Sequence, residues 1–316
     1  MQITIPGFIE IGEEYGKELL SLMFRFGKAR RRAYSLKQKG YRKADIERLL
    51  QKECSLNSRY VKDAYWSIKD LPPHVTFGGL RNQRLREKGK ITREECRKRR
   101  NSILISRGDK TKRGNLNIRL DLETMKLRIN CSNGKYIYPK IFISEKYLKK
   151  YRHLLDGSKP YTVIIKRRDN DEGYDVKITV NVETEVKEGK RVMALDVNAG
   201  HIDFAVVDKT SQKIVTVGKI HAYETQHVRK GKREYLLHKV VDRIANIAKH
   251  FNADVVVGKL NTSKFKGFRK VNRVIHNMPQ YKFRQVLAYK LPLRGVVVKE
   301  HSEANTSKIG SFYPNS

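Results

Sequence analysis

Asp196 closes a short apolar run in the segment ALDVNAG (194–200) and is followed at once by Asn198 and Gly200. A carboxylate held between apolar residues in a sheet needs a partner to offset its lost hydration. Two partners fit. A divalent metal would make Asp196 a ligand, whereas a hydrogen-bonded turn would make it structural, because Asp-x-Asn-x-Gly is ordinary turn chemistry. The local residues leave both open.

Other chemistry is easier to exclude. The nine His residues are scattered and form no H-E-x-x-H pattern. Cys54, Cys96 and Cys131 are far apart, without C-x-x-C or zinc spacing, and read as structural thiols of a reducing cytoplasm. No zinc site is expected. Gly108-Asp109-Lys110-Thr111 lacks the upstream glycine spacing and the following helix of a phosphate-binding loop, which argues against nucleotide hydrolysis.

Charge sets the partner class. The 316 residues carry 68 Lys and Arg against 33 Asp and Glu, a net +35 spread along the chain. A folded surface of that kind calls for a polyanion, and nucleic acid is the expected one. No apolar run approaches the ~18 residues of a membrane span, and no signal peptide opens the chain.

The elements that must position these residues follow from periodicity. A short strand over 2–5, closed by Pro6-Gly7, leads into a helix from Glu13 in which Leu19, Leu20, Met23 and Phe24 recur at helical spacing. Arg25, Lys28, Arg30, Arg31 and Arg32 fill its other side and read as a phosphate-tracking face, the alternative being simple solvation. Further helices are expected over Lys43–Cys54 and from Asn57 or Ser58, stopped by Pro72-Pro73. The stretch 76–120 is the most basic, with Arg81 and Arg84, a short helix near Thr92–Arg100 and a glycine-containing loop carrying Arg107, Lys110, Lys112 and Arg113. Strands are expected over 117–122, 126–130, 135–143, 161–166 and 176–182, with 169–173 as a hairpin turn. That succession suggests a small β-barrel that the first strand could complete. After a polar linker come three strands over 191–219, a helix over Arg233–Phe251, a strand over Asp254–Val257, the basic segment with Lys264, Lys266, Arg269 and Lys270, a helix over Gln280–Lys290 and a strand over Gly295–Lys299. Three strands, helix, strand, helix, strand is the order of a ribonuclease-H-like fold, whose acidic residues hold two divalent ions about a scissile phosphate.

The segments ALDVNAGHIDFAVVD (194–208), ADVVVGKLN (253–261) and IHNMPQYKFRQVLAYKLPLRGVVVKEHSEANTSKIG (275–310) resemble the RuvC-type nuclease domain of the OrfB/TnpB insertion-sequence proteins, particularly archaeal ones, relatives of the type V CRISPR effectors. The resemblance implies an α+β multidomain chain. Residues 1–12 and 76–188 would form a wedge-like barrel gripping guide RNA, 13–75 an inserted helical recognition domain, and 189–316 a RuvC-like domain truncated at its C-terminus. It also implies RNA-guided cleavage of DNA by three acidic residues and Mg²⁺. Asp196 matches the first acid. The second, normally Glu, falls at Gly258, and the third would lie beyond Ser316. Asp254 is roughly 13 Å from Gly258 by strand rise and cannot replace it in register. One carboxylate cannot hold two Mg²⁺ ions, which give up water only to several anionic ligands. The expectation is therefore a chain that binds guide RNA and DNA with its cleavage impaired. Two alternatives stand: an active nuclease completed by a displaced acid or a missing segment, and a basic RNA- or DNA-binding protein with no guide.

Overall fold

The chain is described from a computed structural model, which covers residues 1–112, 114–132, 134–168, 173–198, 200–225, 228–259 and 280–302. They fall into two units, Gln2–Val182 and Glu183 onward. Among the described residues there are eight α-helices and three sheets. No described helix is long and apolar enough to cross a membrane.

In the first unit, α1 (Glu13–Gln38) buries Leu19, Leu22, Met23, Phe26, Ala29, Ala33 and Leu36, a stripe at three- and four-residue spacing. Helices α2 (Lys43–Cys54) and α3 (Ser58–Trp66) pack against it. Asn57 caps α3 by accepting the Tyr60 amide at 3.0 Å. The helices α4 (Leu80–Glu87) and α5 (Arg93–Arg100) bury no residue fully, and α5 is capped by Thr92. Strands β1 (Gln2–Ile9), β2 (Ile103–Ser106), β6 (Ile141–Ile143), β7 (Tyr161–Arg167) and β8 (Tyr174–Asn181) form one sheet in the order β2-β7-β8-β1-β6. Strands β3 (Ile118–Asp121), β4 (Lys126–Asn130) and β5 (Tyr136–Ile137) form a second, and α6 (Glu145–Tyr151) follows β6. Helices and sheets share one apolar core that runs from Ile5 and Leu19 to Ile178 and Val180.

This arrangement corrects three expectations. Among the described residues the five-stranded sheet is open at β2 and β6, so no barrel closes. The first strand does not stop at Pro6-Gly7 but continues to Ile9. Pairing with β6 begins only at Gly7, so Pro6 lies where one flank of the strand has no neighbour in that sheet. The expected strand over 135–143 is two strands, β5 and β6, with Pro139 between them. The hairpin turn over 169–172 lies outside the described residues.

In the second unit, β9 (Arg191–Asn198), β10 (His201–Asp208) and β11 (Ile214–His221) are antiparallel neighbours, while β12 (Ala253–Lys259) runs parallel to β9 and β13 (Val298–Ser302) parallel to β12. The order is β11-β10-β9-β12-β13. Met193, Leu195, Val197, Ile202, Val206, Val255 and Val257 form the inner face, covered by α7 (Lys230–His250) and α8 (Gln280–Lys290) through Leu237, Val241, Ile244, Phe283 and Leu287. The last strand starts later than expected, because Pro292–Arg294 is a helical turn and Gly295 takes a left-handed conformation at φ 76°.

Candidate functional site: an acidic row and a divided basic surface

Alternation along β9 buries Leu195 and Val197 and leaves Asp196 on the opposite, exposed face. Register then extends that position across the sheet. Asp196 pairs with Asp203 on β10, and Asp203 pairs with Lys219 on β11. On the other side, Val257 pairs with Leu195, so Gly258 lies one residue further along β12 just as Asp196 does along β9. Gly258 in turn pairs with His301 on β13. The row Lys219, Asp203, Asp196, Gly258, His301 therefore crosses all five strands on the face away from α7 and α8.

The polar contacts within this row are specific. The Asn198 side-chain amide donates to Asp196 Oδ2 at 3.0 Å and to Asp203 Oδ2 at 3.1 Å. Asp203 also meets His201 Nε2 at 3.0 Å and Lys219 Nζ at 3.5 Å. Both carboxylates are thus supplied with donors from the protein itself, which is the hydrogen-bonded alternative for Asp196. Asp254, 2% exposed, accepts the Gly189 amide at 2.7 Å and Lys209 Nζ at 2.6 Å, so it pins the linker and is not available to Gly258's position.

The row supplies, among the described residues, two carboxylates, Asp196 and Asp203, and no third to a pair of Mg²⁺ ions. Among the described residues no group of three or more His, Cys, Asp and Glu could hold a metal. The Asn198 amide bridges both carboxylates, Lys219 Nζ approaches Asp203 alone, and Gly258, between Asp196 and His301, has no side chain.

The basic residues singled out from sequence separate into different environments. Arg25 donates to the Ser55 and Cys131 carbonyls at 2.7 and 2.8 Å, and Lys28 to the Glu53 carbonyl at 2.9 Å. Arg30 turns the other way, toward Ser67 Oγ at 2.9 Å and the Phe77 ring at 5.7 Å, and burial lowers its pKa. Arg31 bonds Asn101 Oδ1 at 2.7 Å, while Arg32 forms a fork with Glu53 at 3.0 and 3.1 Å. The five therefore do not share one face. Arg107 is held by Asp63, Nε to Oδ1 at 2.7 Å, and lies over Trp66. Arg81, Arg84 and Lys112 are exposed. Lys110 lies in a short helical turn, and Arg113, Lys264, Lys266, Arg269 and Lys270 lie outside the described residues.

Sequence reasoning missed Asp203 and Asn198 as neighbours of Asp196, and Lys219 on the far side of Asp203. The signal was present: only two residues separate Asn198 from His201, a spacing that sets these two opposite each other and hence Asp196 opposite Asp203. It also passed over Arg86, Arg93, Arg97 and Arg100 as site residues.

Residues 2–197, which include the first unit and β9 as far as Asp196's neighbour Val197, match the family described as SSO2105 N-terminal domain. The chain belongs to that family. This SSO2105 N-terminal domain protein is also similar in structure to the Cas12f1 of a Cas12f1–sgRNA–target DNA complex, with a TM-score of 0.53 and 13% identity over 94% of this chain and 75% of that one. At that identity the likeness is one of fold. RuvC of T. thermophilus, in complex with a Holliday junction substrate, aligns with 37% of this chain and 68% of its own, at 13% identity and a TM-score of 0.27. No curated protein matches the chain.

Proposed function

We propose that this protein is a TnpB/OrfB-like, RuvC-type nucleic-acid-binding protein that holds guide RNA and DNA in the cytoplasm and does not cleave. The observation that carries the reading is Gly258. It lies beside Asp196 in the sheet, and the resemblance to the guided nucleases puts their second acid at this residue. A fold shared with Cas12f1 and a net charge of +35 support a polyanionic partner. In guided recognition, base pairing supplies sequence while the protein grips backbone shape, which suits a surface of Lys and Arg.

The test is purification followed by RNA sequencing and by incubation with guide-matched DNA in Mg²⁺ or Mn²⁺. A discrete RNA and intact DNA are expected. Metal-dependent cutting would overturn the second half of the proposal, and a heterogeneous RNA pool would point to unguided binding.

One observation favours a second reading. Asp203 faces Asp196 directly and is a displaced acid in the right row. On that reading the protein cuts, and both Asp196→Asn and Asp203→Asn abolish the cut.

A further inference from the structure

Helices α1, α4 and α5 line a cleft of 780 Å³. From α1 come Arg25, Lys28 and Arg31, and from α4 Arg86; α5 adds Arg93, Arg97 and Arg100, one face of a helix at three- and four-residue spacing. The lining holds a single carboxylate, Glu94, which pairs with Lys98 at 3.4 Å.

The two faces of α5 are treated differently. Away from the cleft, Arg99 pairs with Glu95 at 2.7 Å. Toward the cleft, among the described residues, none of the seven cations has a carboxylate within ion-pair distance. Burial and the neighbouring Arg100, Arg30 and Arg97 hold the Arg31 pKa at about 10. Arg97 is set over the Phe24 ring at 5.1 Å, which fixes its guanidinium in advance. Among the described residues, Arg25, Lys28 and Arg31 meet only neutral oxygens. Like charges without a carboxylate thus gather in a concavity and raise the free energy of the empty protein, which an anion of several charges relieves.

The shape selects among anions. Duplex DNA is read by elements that project into its grooves, whereas this surface recedes between helices. A space of 780 Å³ lies within the ~300–1,000 Å³ of small-ligand pockets, a size for a short stretch of single strand and not for a duplex. We propose that the cleft between α1 and α5 holds a short single-stranded segment of nucleic acid by its phosphates. This rests on the nucleic-acid reading above and adds where, and in what form, the strand is held.

Cys96 lines the cleft, whereas Cys54 and Cys131 are buried, so one thiol reports on occupancy. The probes are a fluorescent oligouridylate and a DNA duplex of equal total charge. The variants are R93Q/R97Q/R100Q, R86Q/R93Q and, on the exposed surface of α6 outside the cleft lining, K149Q/K150Q. The triple variant is expected to weaken oligouridylate binding about ten- to a hundred-fold and to lower the slope of log K against log salt by about 2, at ~0.7 per phosphate contact. Duplex binding and the K149Q/K150Q variant should change little, and oligouridylate should slow alkylation of Cys96. Variant R86Q/R93Q, which alters two exposed side chains, gives the same direction of change if the triple variant misfolds. Equal losses for K149Q/K150Q, equal losses for duplex, or unprotected Cys96 would overturn the inference while leaving nucleic-acid binding intact. A wild-type chain that binds neither probe would overturn both readings.

Discussion

Asp196 and Asp203 stand opposite each other on adjacent antiparallel strands, and the Asn198 amide donates to both, at 3.0 and 3.1 Å. Like charges placed directly opposite in a sheet are destabilising by about 0.2–1 kcal/mol. The amide is the local remedy. Asn198→Ala should therefore destabilise the protein by about 0.5–1.5 kcal/mol, the net scale of an ordinary hydrogen bond, since water can reach these exposed carboxylates. Adding Asp203→Asn should recover part of that loss by removing the repulsion. Urea midpoints of the single and double variants decide it, and an unchanged midpoint for Asn198→Ala would refute the account.

A second prediction concerns Gly27, in the middle of α1. A Cβ there would lie 2.2 Å from Asn101 Oδ1. Asn101 closes α5, bonding the Arg97 carbonyl at 2.7 Å and accepting from Arg31 at 2.7 Å. Replacing a mid-helix Gly by Ala ordinarily gains about 1 kcal/mol, but overpacking costs about 1–3 kcal/mol. The second effect should win. Gly27→Ala is expected to lower the melting temperature and to weaken oligouridylate binding together, since α5 loses its seat on α1.

Asn115 is fully buried and completely used. Its Oδ1 accepts from the Asn117 and Ile118 amides and from Ser106 Oγ, and its Nδ2 donates to the Ser106 and Tyr161 carbonyls, all within 2.9–3.0 Å. The basic loop before it is thus anchored by a polar knot. Asn115→Ala should cost about 2–5 kcal/mol, because several buried groups lose their partner at once. Chemical denaturation measures this, and a loss below about 1 kcal/mol would show that water replaces the side chain.

What was legible in the sequence follows from what periodicity can encode. The stripe from Leu19 to Leu36 marked α1, and the alternation around Asp196 put it on a strand with its side chain away from Leu195 and Val197. Helix α4 left no such trace, because it buries no residue and is held by polar contacts such as Arg99 to Asn82 at 3.4 Å. An open sheet and a barrel share the same alternation, so closure could not be read from β7 and β8. Nor does a run of cations state its partners: Arg32 finds Glu53, Arg30 finds Ser67 and Arg31 finds Asn101, each distant in sequence.

The clasp between α7 and α8 gives a pH prediction. His238 contacts the Tyr289 hydroxyl at 3.0 Å, with Lys290, Asp242, Lys282 and Glu234 nearby. Burial, and then Lys290, lower its pKa from 6.5, against a weaker opposite effect of Asp242. The unfolded chain then takes up the proton first on acidification. Stability from neutral His238 is complete above 6.5 and is lost as pH falls from there through the lowered folded value. Melting curves between about pH 8 and about pH 5 should show a decline that is shallower in His238→Gln. Equal slopes in both proteins would remove His238 as the cause.

Gly258 offers the most direct test of the acidic row. It has Asp196's position on one side and His301 on the other, and the inner face beneath is filled by Val257 and Leu195. A side chain added at 258 must therefore project onto the exposed face, since strand alternation fixes its direction. Gly258→Glu would put a carboxylate next to Asp196, and together with Asp196 and Asp203 it would make an acidic trio from what is now a hydrogen-bonded pair. Hard divalent cations prefer several oxygen ligands, so the variant should bind Mn²⁺ where the parent does not, with proton relaxation of water as the readout. Asp196→Asn in the same background should abolish that binding. Mn²⁺ binding that survives Asp196→Asn, or that the parent already shows with equal affinity, would mean that the row is not where the metal sits.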